Sequence, residues 1–345
     1  MFYKNVSDFI LDDVFFHMDD FISGSHVYVK LEGYNATGSN KLKTAIGLID
    51  DLEARGKLKR GCRIIESSSG NLGIALSLVC AERGYDFTCV SDPSATVDDL
   101  SLIEAYGGEV VVVNQRDENG EFWGTRIDYV RRRLEEDPSL VWTNQYANSA
   151  GADVHRLTAK AVLDAIPDLD YLFVGIGTGG TVMGCQAYLD EIDSRVELVG
   201  VDVEGAVTYG RPPGQCHLPE SSSSVRPELF APTRIHEVTV TDAESIRMSR
   251  ELVARHQLLA GGTTCSVLAG VRKLVPSLHP RSKIVAISPD FGERYITSAD
   301  DNHRVEEGLP EFVSGRRDRQ PKVVQLETQG RSQGPQVTSL SGASA

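Results

Sequence analysis

Apolar runs of strand length alternate along this chain with amphipathic stretches of helix length. That rhythm predicts an α/β protein on mainly parallel sheets, because each parallel strand needs a crossover before its neighbour and a helix supplies it. Strands are expected at 27–32, 63–66, 87–91, 109–114, 141–144, 171–175, 196–203, 235–240 and 283–288. Helices are expected at 41–55, 71–83, 122–135, 153–165, 181–192, 241–256 and 264–275, where apolar residues recur at three- and four-residue spacing. Thr241-Asp242-Ala243-Glu244 offers a helix-opening cap, and Pro276 closes the last helix. Two segments break the rhythm. Residues 208–233, with Arg211-Pro212-Pro213-Gly214 and the serine run 221–224, read as a long surface excursion of the kind that borders a site. Beyond Ser314 the chain is rich in Gly, Ser, Gln and Arg with little periodicity, and 315–345 is expected to be a disordered tail.

Charge and composition remove several classes of function. With 35 Lys+Arg against 49 Asp+Glu the formal net charge is −14, which argues against a nucleic-acid partner, since neutralising phosphates needs clustered basic surface. No apolar run approaches the roughly 18 to 20 residues of a membrane-spanning helix, so no membrane role is expected. Acids at Asp8, Asp12 and Asp13 interrupt anything resembling a secretory signal, and a cytoplasmic location is the expectation. The six cysteines (Cys62, Cys80, Cys89, Cys185, Cys216, Cys265) show no CxxC spacing and no pairing with nearby His. Neither a metal site nor a disulfide framework is supported.

Chemistry concentrates in three strand-to-helix turns. Gly175-Ile176-Gly177-Thr178-Gly179-Gly180-Thr181 follows a strand and opens a helix. Its glycines admit an anion close to the backbone, and the helix-start N–H groups point at it. A phosphate is the inference, although the turn alone also fits a dinucleotide site with Asp202 as ribose partner, or tight packing only. Ser67-Ser68-Ser69-Gly70-Asn71-Leu72-Gly73 suits a carboxylate, or else a plain helix cap. In Asn35-Ala36-Thr37-Gly38-Ser39-Asn40-Lys41 a lysine begins a helix, against the usual preference for acids at the positive end of the dipole. Lysines are usually solvated surface charges, but a depressed pKa here favours a Schiff-base role.

In their order, the motifs Glu32…Asn35-x-x-Gly38-Ser39-x-Lys41, Ser68-Ser69-Gly70-Asn71-x-Gly73, Gly177-Thr178-Gly179-Gly180-Thr181, Gly261-Gly262-Thr263 and Pro289-Asp290-x-Gly292-Glu293-Arg294-Tyr295 resemble the fold-type II pyridoxal-phosphate enzymes of the cysteine synthase and cystathionine β-synthase family. The resemblance spans roughly residues 20 to 300. It implies two three-layer α/β domains with mainly parallel twisted sheets, like the tryptophan synthase β-subunit: a larger one from 1–37 plus 148–314, and a smaller mobile one from 38–147. It also implies pyridoxal 5'-phosphate as cofactor, amino-acid substrates and a homodimer. Lys41 would hold the cofactor covalently and later act as the base at the α-carbon. Gly177, Thr178, Gly179, Gly180 and Thr181 would cradle its phosphate, Asn71 would bond the ring hydroxyl, and Thr263, or its neighbour Thr264, would face the ring nitrogen. Ser68, Ser69 and Gly70 would take the substrate α-carboxylate.

The continuation Lys41-Leu42-Lys43-Thr44-Ala45 looks like the subgroup that joins L-glutamate to the three-carbon unit of O-phospho-L-serine, giving N-(2-amino-2-carboxyethyl)-L-glutamate on the route to 2,3-diaminopropionate in siderophores and peptide antibiotics. Tyr146 suits an amine nucleophile and Arg126 a phosphate or carboxylate; both also read as ordinary core and surface residues. The alternative is cysteine synthesis, with sulfide as nucleophile. His155 is expected to cap or pack at a helix start.

Overall fold

The computed structural model describes residues 2–118, 120–212, 214 and 225–295; Cys216, the serine run 221–224 and the tail expected at 315–345 lie outside the described residues. Two sheets carry the described chain. The first holds β1 (Phe15–Met18), β2 (His26–Leu31), β7 (Tyr171–Gly175), β8 (Glu197–Val203), β9 (Ile235–Val240) and β10 (Lys283–Ser288) in the order β1-β2-β10-β7-β8-β9. The second holds β3 (Arg63–Ser67), β4 (Asp86–Ser91), β5 (Glu109–Val112) and β6 (Leu140–Trp142) in the order β5-β4-β3-β6. Every pairing is parallel except β1 with β2.

Helices α1 (Lys41–Ala54), α2 (Asn71–Arg83), α3 (Val97–Ala105) and α4 (Trp123–Glu136) are threaded through the smaller sheet's part of the chain. Along the larger sheet run α5 (Ala150–Asp153), α6 (Arg156–Ala165), α7 (Gly180–Glu191), α8 (Asp242–His256) and α9 (Gly262–Leu274). The period-2 rule for strands explains why each sheet is covered on both faces. Phe173, Val199, Val201, Ile284 and Ala286 enter one core, with Val267 and Val271 of α9. Their neighbours Leu172, Val174, Leu198, Val285 and Ile287 enter another, with Val162 of α6 and Val182 of α7. In the smaller sheet Ile64 and Cys89 pack with α1 and α2, while Ile65 and Val90 pack with Val130 of α4. Each sheet is thus the middle of three layers.

All nine expected strands are present, but β1 was not expected, because four residues between acidic pairs give no readable alternation. Helices α3 and α5 were not expected either; α3 buries only Ile103 and α5 is a single turn. The cap read at 241–244 is a full capping box, with Thr241 Oγ1 accepting from Glu244 N and Glu244 accepting from Thr241 N. Among the described residues no helix is long and apolar enough to cross a membrane, and no group of three His, Cys, Asp or Glu side chains is arranged to hold a metal ion.

Candidate active site

A cleft opens at the carboxyl ends of β7 and β10, the usual ligand position in open α/β sheets. Lys41, Asn71, Gly177, Thr178, Gly179, Gly180, Thr181, Thr263 and Asp290 all line it. Three turns far apart in sequence therefore meet in one place.

The lysine turn is braced from within. Asn35 donates from Nδ2 to the carbonyls of Glu32 (2.8 Å) and Ser39 (2.9 Å), and its Oδ1 accepts from Thr37 N (2.9 Å). Gly38 takes the left-handed conformation (φ +69°) with the Arg294 guanidinium against it. Asn40 N donates to Pro289 O (2.8 Å), so the residue before Lys41 is fixed to the end of β10. Lys41 then opens α1. Burial lowers its pKa, and the charge of Asp290 opposes that shift. An amine so placed is easily deprotonated, which nucleophilic or base chemistry requires.

The glycine turn meets it from the other sheet. Gly179 at the N-cap of α7 has φ +82°, and a Cβ there would lie 2.9 Å from Phe230. At Gly175 a Cβ would collide with the Thr263 methyl. Asn40 Nδ2 donates to Thr181 Oγ1 (3.2 Å), joining the lysine turn to the first turn of α7. Thr263 lines the cleft, whereas Thr264 is buried with its hydroxyl 2.9 Å from that of Ser288.

The third turn is only partly in the cleft. Asn71, first residue of α2, lines it, and Ser68, Ser69 and Gly70 do not. Ser68 Oγ accepts from Gly73 N (3.0 Å), so this hydroxyl serves the helix start. Beneath it the buried Glu66 carboxylate accepts from Trp142 Nε1 (3.1 Å), Ser67 N (2.7 Å), Gln145 N (3.1 Å) and the Thr143 hydroxyl, tying β3 to the end of β6. Arg126 and Tyr146 also lie outside the cleft lining. Arg126 is buried, 3.0 Å from Asp92 Oδ2, and its Nε has no acceptor among the described residues. Tyr146 is half-buried, its ring 5.6 Å from that of Trp123, and burial pushes its pKa up.

Sequence reasoning missed two contributions. Asp290 and Arg294 hold the Asn71 amide, although the motif containing them stands more than 200 residues from Asn71. His155 does not cap its helix with its side chain: Nε2 is 3.1 Å from Thr44 Oγ1 and 3.5 Å from Thr181 Oγ1, and Nδ1 is 3.3 Å from Thr158 Oγ1. Burial, with Lys43 and Lys41 nearby, pushes its pKa well below the ordinary 6.5, so the ring is neutral. The unfolded chain takes up this proton first. Stability contributed by the neutral ring is therefore full above about pH 6.5 and is lost as pH falls toward the folded value. His155→Gln should flatten the fall in Tm between roughly pH 6.5 and 5; Tm curves that stay parallel across that range would remove the imidazole as the cause.

A family profile described as "Pyridoxal-phosphate dependent enzyme" matches residues 19–290. The chain is 35% identical over 281 residues to an N-(2-amino-2-carboxyethyl)-L-glutamate synthase of Ralstonia nicotianae, covering 81% of this chain and 83% of that one. Among solved structures it resembles O-ureido-L-serine synthase, with a TM-score of 0.80, 28% identity, and 90% and 96% of the two chains covered. It also resembles an O-acetylserine-dependent cystathionine β-synthase from Helicobacter pylori, with a TM-score of 0.79, 26% identity, and 87% and 99% covered.

Proposed function

Because the chain belongs to the pyridoxal-phosphate-dependent enzyme family and catalyses a β-replacement, we propose that its substrates are O-phospho-L-serine and L-glutamate and its products N-(2-amino-2-carboxyethyl)-L-glutamate and phosphate. The observation that carries this reading is the 35% identity, over four-fifths of both chains, to a synthase named for that product.

The residues of the cleft fit the cofactor. An amine with a lowered pKa opens α1, and the α7 N-terminus meets it as an anion cradle. At Gly177 a Cβ would meet no atom within 4 Å, so the cradle has room beside its backbone. Asn71 and Thr263 offer an amide and a hydroxyl in the same cleft. Bound there, pyridoxal phosphate supplies an electron sink that acidifies the α-hydrogen of an amino acid and lets its β-substituent depart.

Lys41 would hold the group covalently, be released when the amino acid arrives, and then take the α-proton on Nζ and return it after the new bond forms. Residues 177–181 would bind the cofactor phosphate, Asn71 would orient the ring, and Thr263 would face its nitrogen. Ser68, Ser69 and Gly70 would take the α-carboxylate at the positive end of α2. Arg126 would bind a phosphate or the glutamate carboxylate bidentately, its free Nε being an unspent donor. Tyr146 would orient the incoming amine.

A sulfur nucleophile is the competing reading, favoured by the likeness to an O-acetylserine-dependent enzyme. Inorganic phosphate release from O-phospho-L-serine decides between them. Sustained release only when L-glutamate is present is the expected result; rapid turnover of O-acetylserine with sulfide, with glutamate inert, would sink the assignment.

A further inference from the structure

The segment after β10, Pro289-Asp290-Phe291-Gly292-Glu293-Arg294-Tyr295, has no part in the roles above, yet its side chains converge on Asn71. Asn71 Nδ2 donates to Asp290 Oδ2 at 2.8 Å, and its Oδ1 accepts from the Arg294 guanidinium. The same guanidinium donates to the carbonyl of Thr37 in the lysine turn. Tyr295 donates its hydroxyl to Asp290 Oδ2 at 2.6 Å. An amide can be reversed end for end at little steric cost. Here a carboxylate accepts at one end and a guanidinium donates at the other, so reversal would set two donors together and two acceptors together.

Asp290 is itself held firmly. Its carbonyl accepts from Gly261 N (3.4 Å) and Ser288 Oγ (3.3 Å), and residue 290 bridges to Ser39. A side chain at 261 would collide with Asp290 Oδ1, so glycine there is what lets the carboxylate lie against the start of α9. Only 4% of Asp290 is exposed. Its Oδ1 has no hydrogen-bond partner among the described residues and it lines the cleft with Lys41. Burying a carboxylate with one oxygen unmatched costs stability, and such a cost is retained where function uses the group.

We propose that Asp290 and Arg294 are positioning residues, which lock the Asn71 amide in one orientation, with Nδ2 toward Asp290 and the Tyr295 hydroxyl (3.4 Å) and Oδ1 toward Arg294, and so hold it where it lines the cleft beside the cofactor ring. This rests on the reading of Asn71 as a ring partner, and the clamp also ties that amide to the lysine turn through Thr37.

The experiment is a double-mutant cycle on the full chain. Asn71→Ala, Asp290→Asn and the double variant are each titrated with pyridoxal 5'-phosphate after removal of bound cofactor, and the absorbance maximum of each reloaded protein is recorded. The expected result is that each single change weakens binding about tenfold and moves the maximum, while the double variant is no worse than Asn71→Ala. Penalties that multiply in the double variant, or an unmoved maximum in Asp290→Asn beside a moved one in Asn71→Ala, would overturn the clamp and leave Asn71's role standing. An Asn71→Ala protein with unchanged affinity and spectrum would overturn that role and the clamp with it. Should Asp290→Asn not fold by circular dichroism, Arg294→Met reads the other arm by the same cycle with the same criteria.

Discussion

Lys41→Ala is expected to lose the absorbance of lysine-bound pyridoxal phosphate at roughly 410–430 nm and at least about 10³-fold in turnover. The expectation follows from position. Lys41 sits where α1 begins, held by a turn with bonds at both ends, and its side chain enters a cleft walled by the glycine turn of the other sheet. Burial has already moved its pKa down, and the positive end of the helix dipole acts in the same direction. Alanine supplies neither the covalent attachment nor a proton acceptor, and among the described residues no second lysine lines the cleft. Spectra of the purified variant and single-turnover assays with O-phospho-L-serine measure both losses. A band that persists in the variant would show that the attachment lies elsewhere.

Lys43→Met should destabilise the fold by roughly 3–5 kcal/mol, the usual cost of stranding a buried charge, and lower Tm by on the order of 10 °C. Two residues along α1 from Lys41, this ammonium lies 2.7 Å from Glu32 Oε2 and also pairs with Asp12. Lys30 meets the same two acids, at 3.4 Å from Glu32 and 3.2 Å from Asp12. Glu32 and Lys30 are each 1% exposed, so water cannot replace a missing partner. With Lys43 gone, two carboxylates share one ammonium. Glu32→Gln added to Lys43→Met should recover part of the loss, because it removes the stranded charge. Thermal melts of the two variants measure the effect; a single variant within about 1 kcal/mol of the parent would show that the cluster relaxes.

What the sequence made legible was local. The three glycine-bearing turns and the Thr241 cap are written in contiguous residues, and their chemistry follows from which backbone N–H groups a turn leaves free. The α/β class with mainly parallel sheets was legible because strand-length apolar runs alternate with amphipathic stretches of helix length, whereas the three-layer arrangement came with the family resemblance. Contacts at long separation were not. Asp12 and Lys43 stand 31 residues apart and Asn71 and Arg294 stand 223 apart. Neither pair leaves a periodic trace, since a contact across so many residues is made by the tertiary fold and not by local spacing. Short elements were illegible for another reason. In β1 (Phe15–Met18) and α5 (Ala150–Asp153) four residues cannot show a period, and tertiary pairing, here with β2 and with α1 and α7, decides their conformation.

The glycine turn after β7 also sets how this protein can diverge. Its positions differ sharply in what they tolerate: 175 is blocked by Thr263, and 179 by Phe230 and a left-handed backbone. Position 177 alone among these three faces open space, with a backbone that L-residues can adopt. Of these three glycines only 177 can gain a side chain cheaply, so a lineage descending from this chain can alter the polarity beside the anion there while 175 and 179 keep the turn fixed.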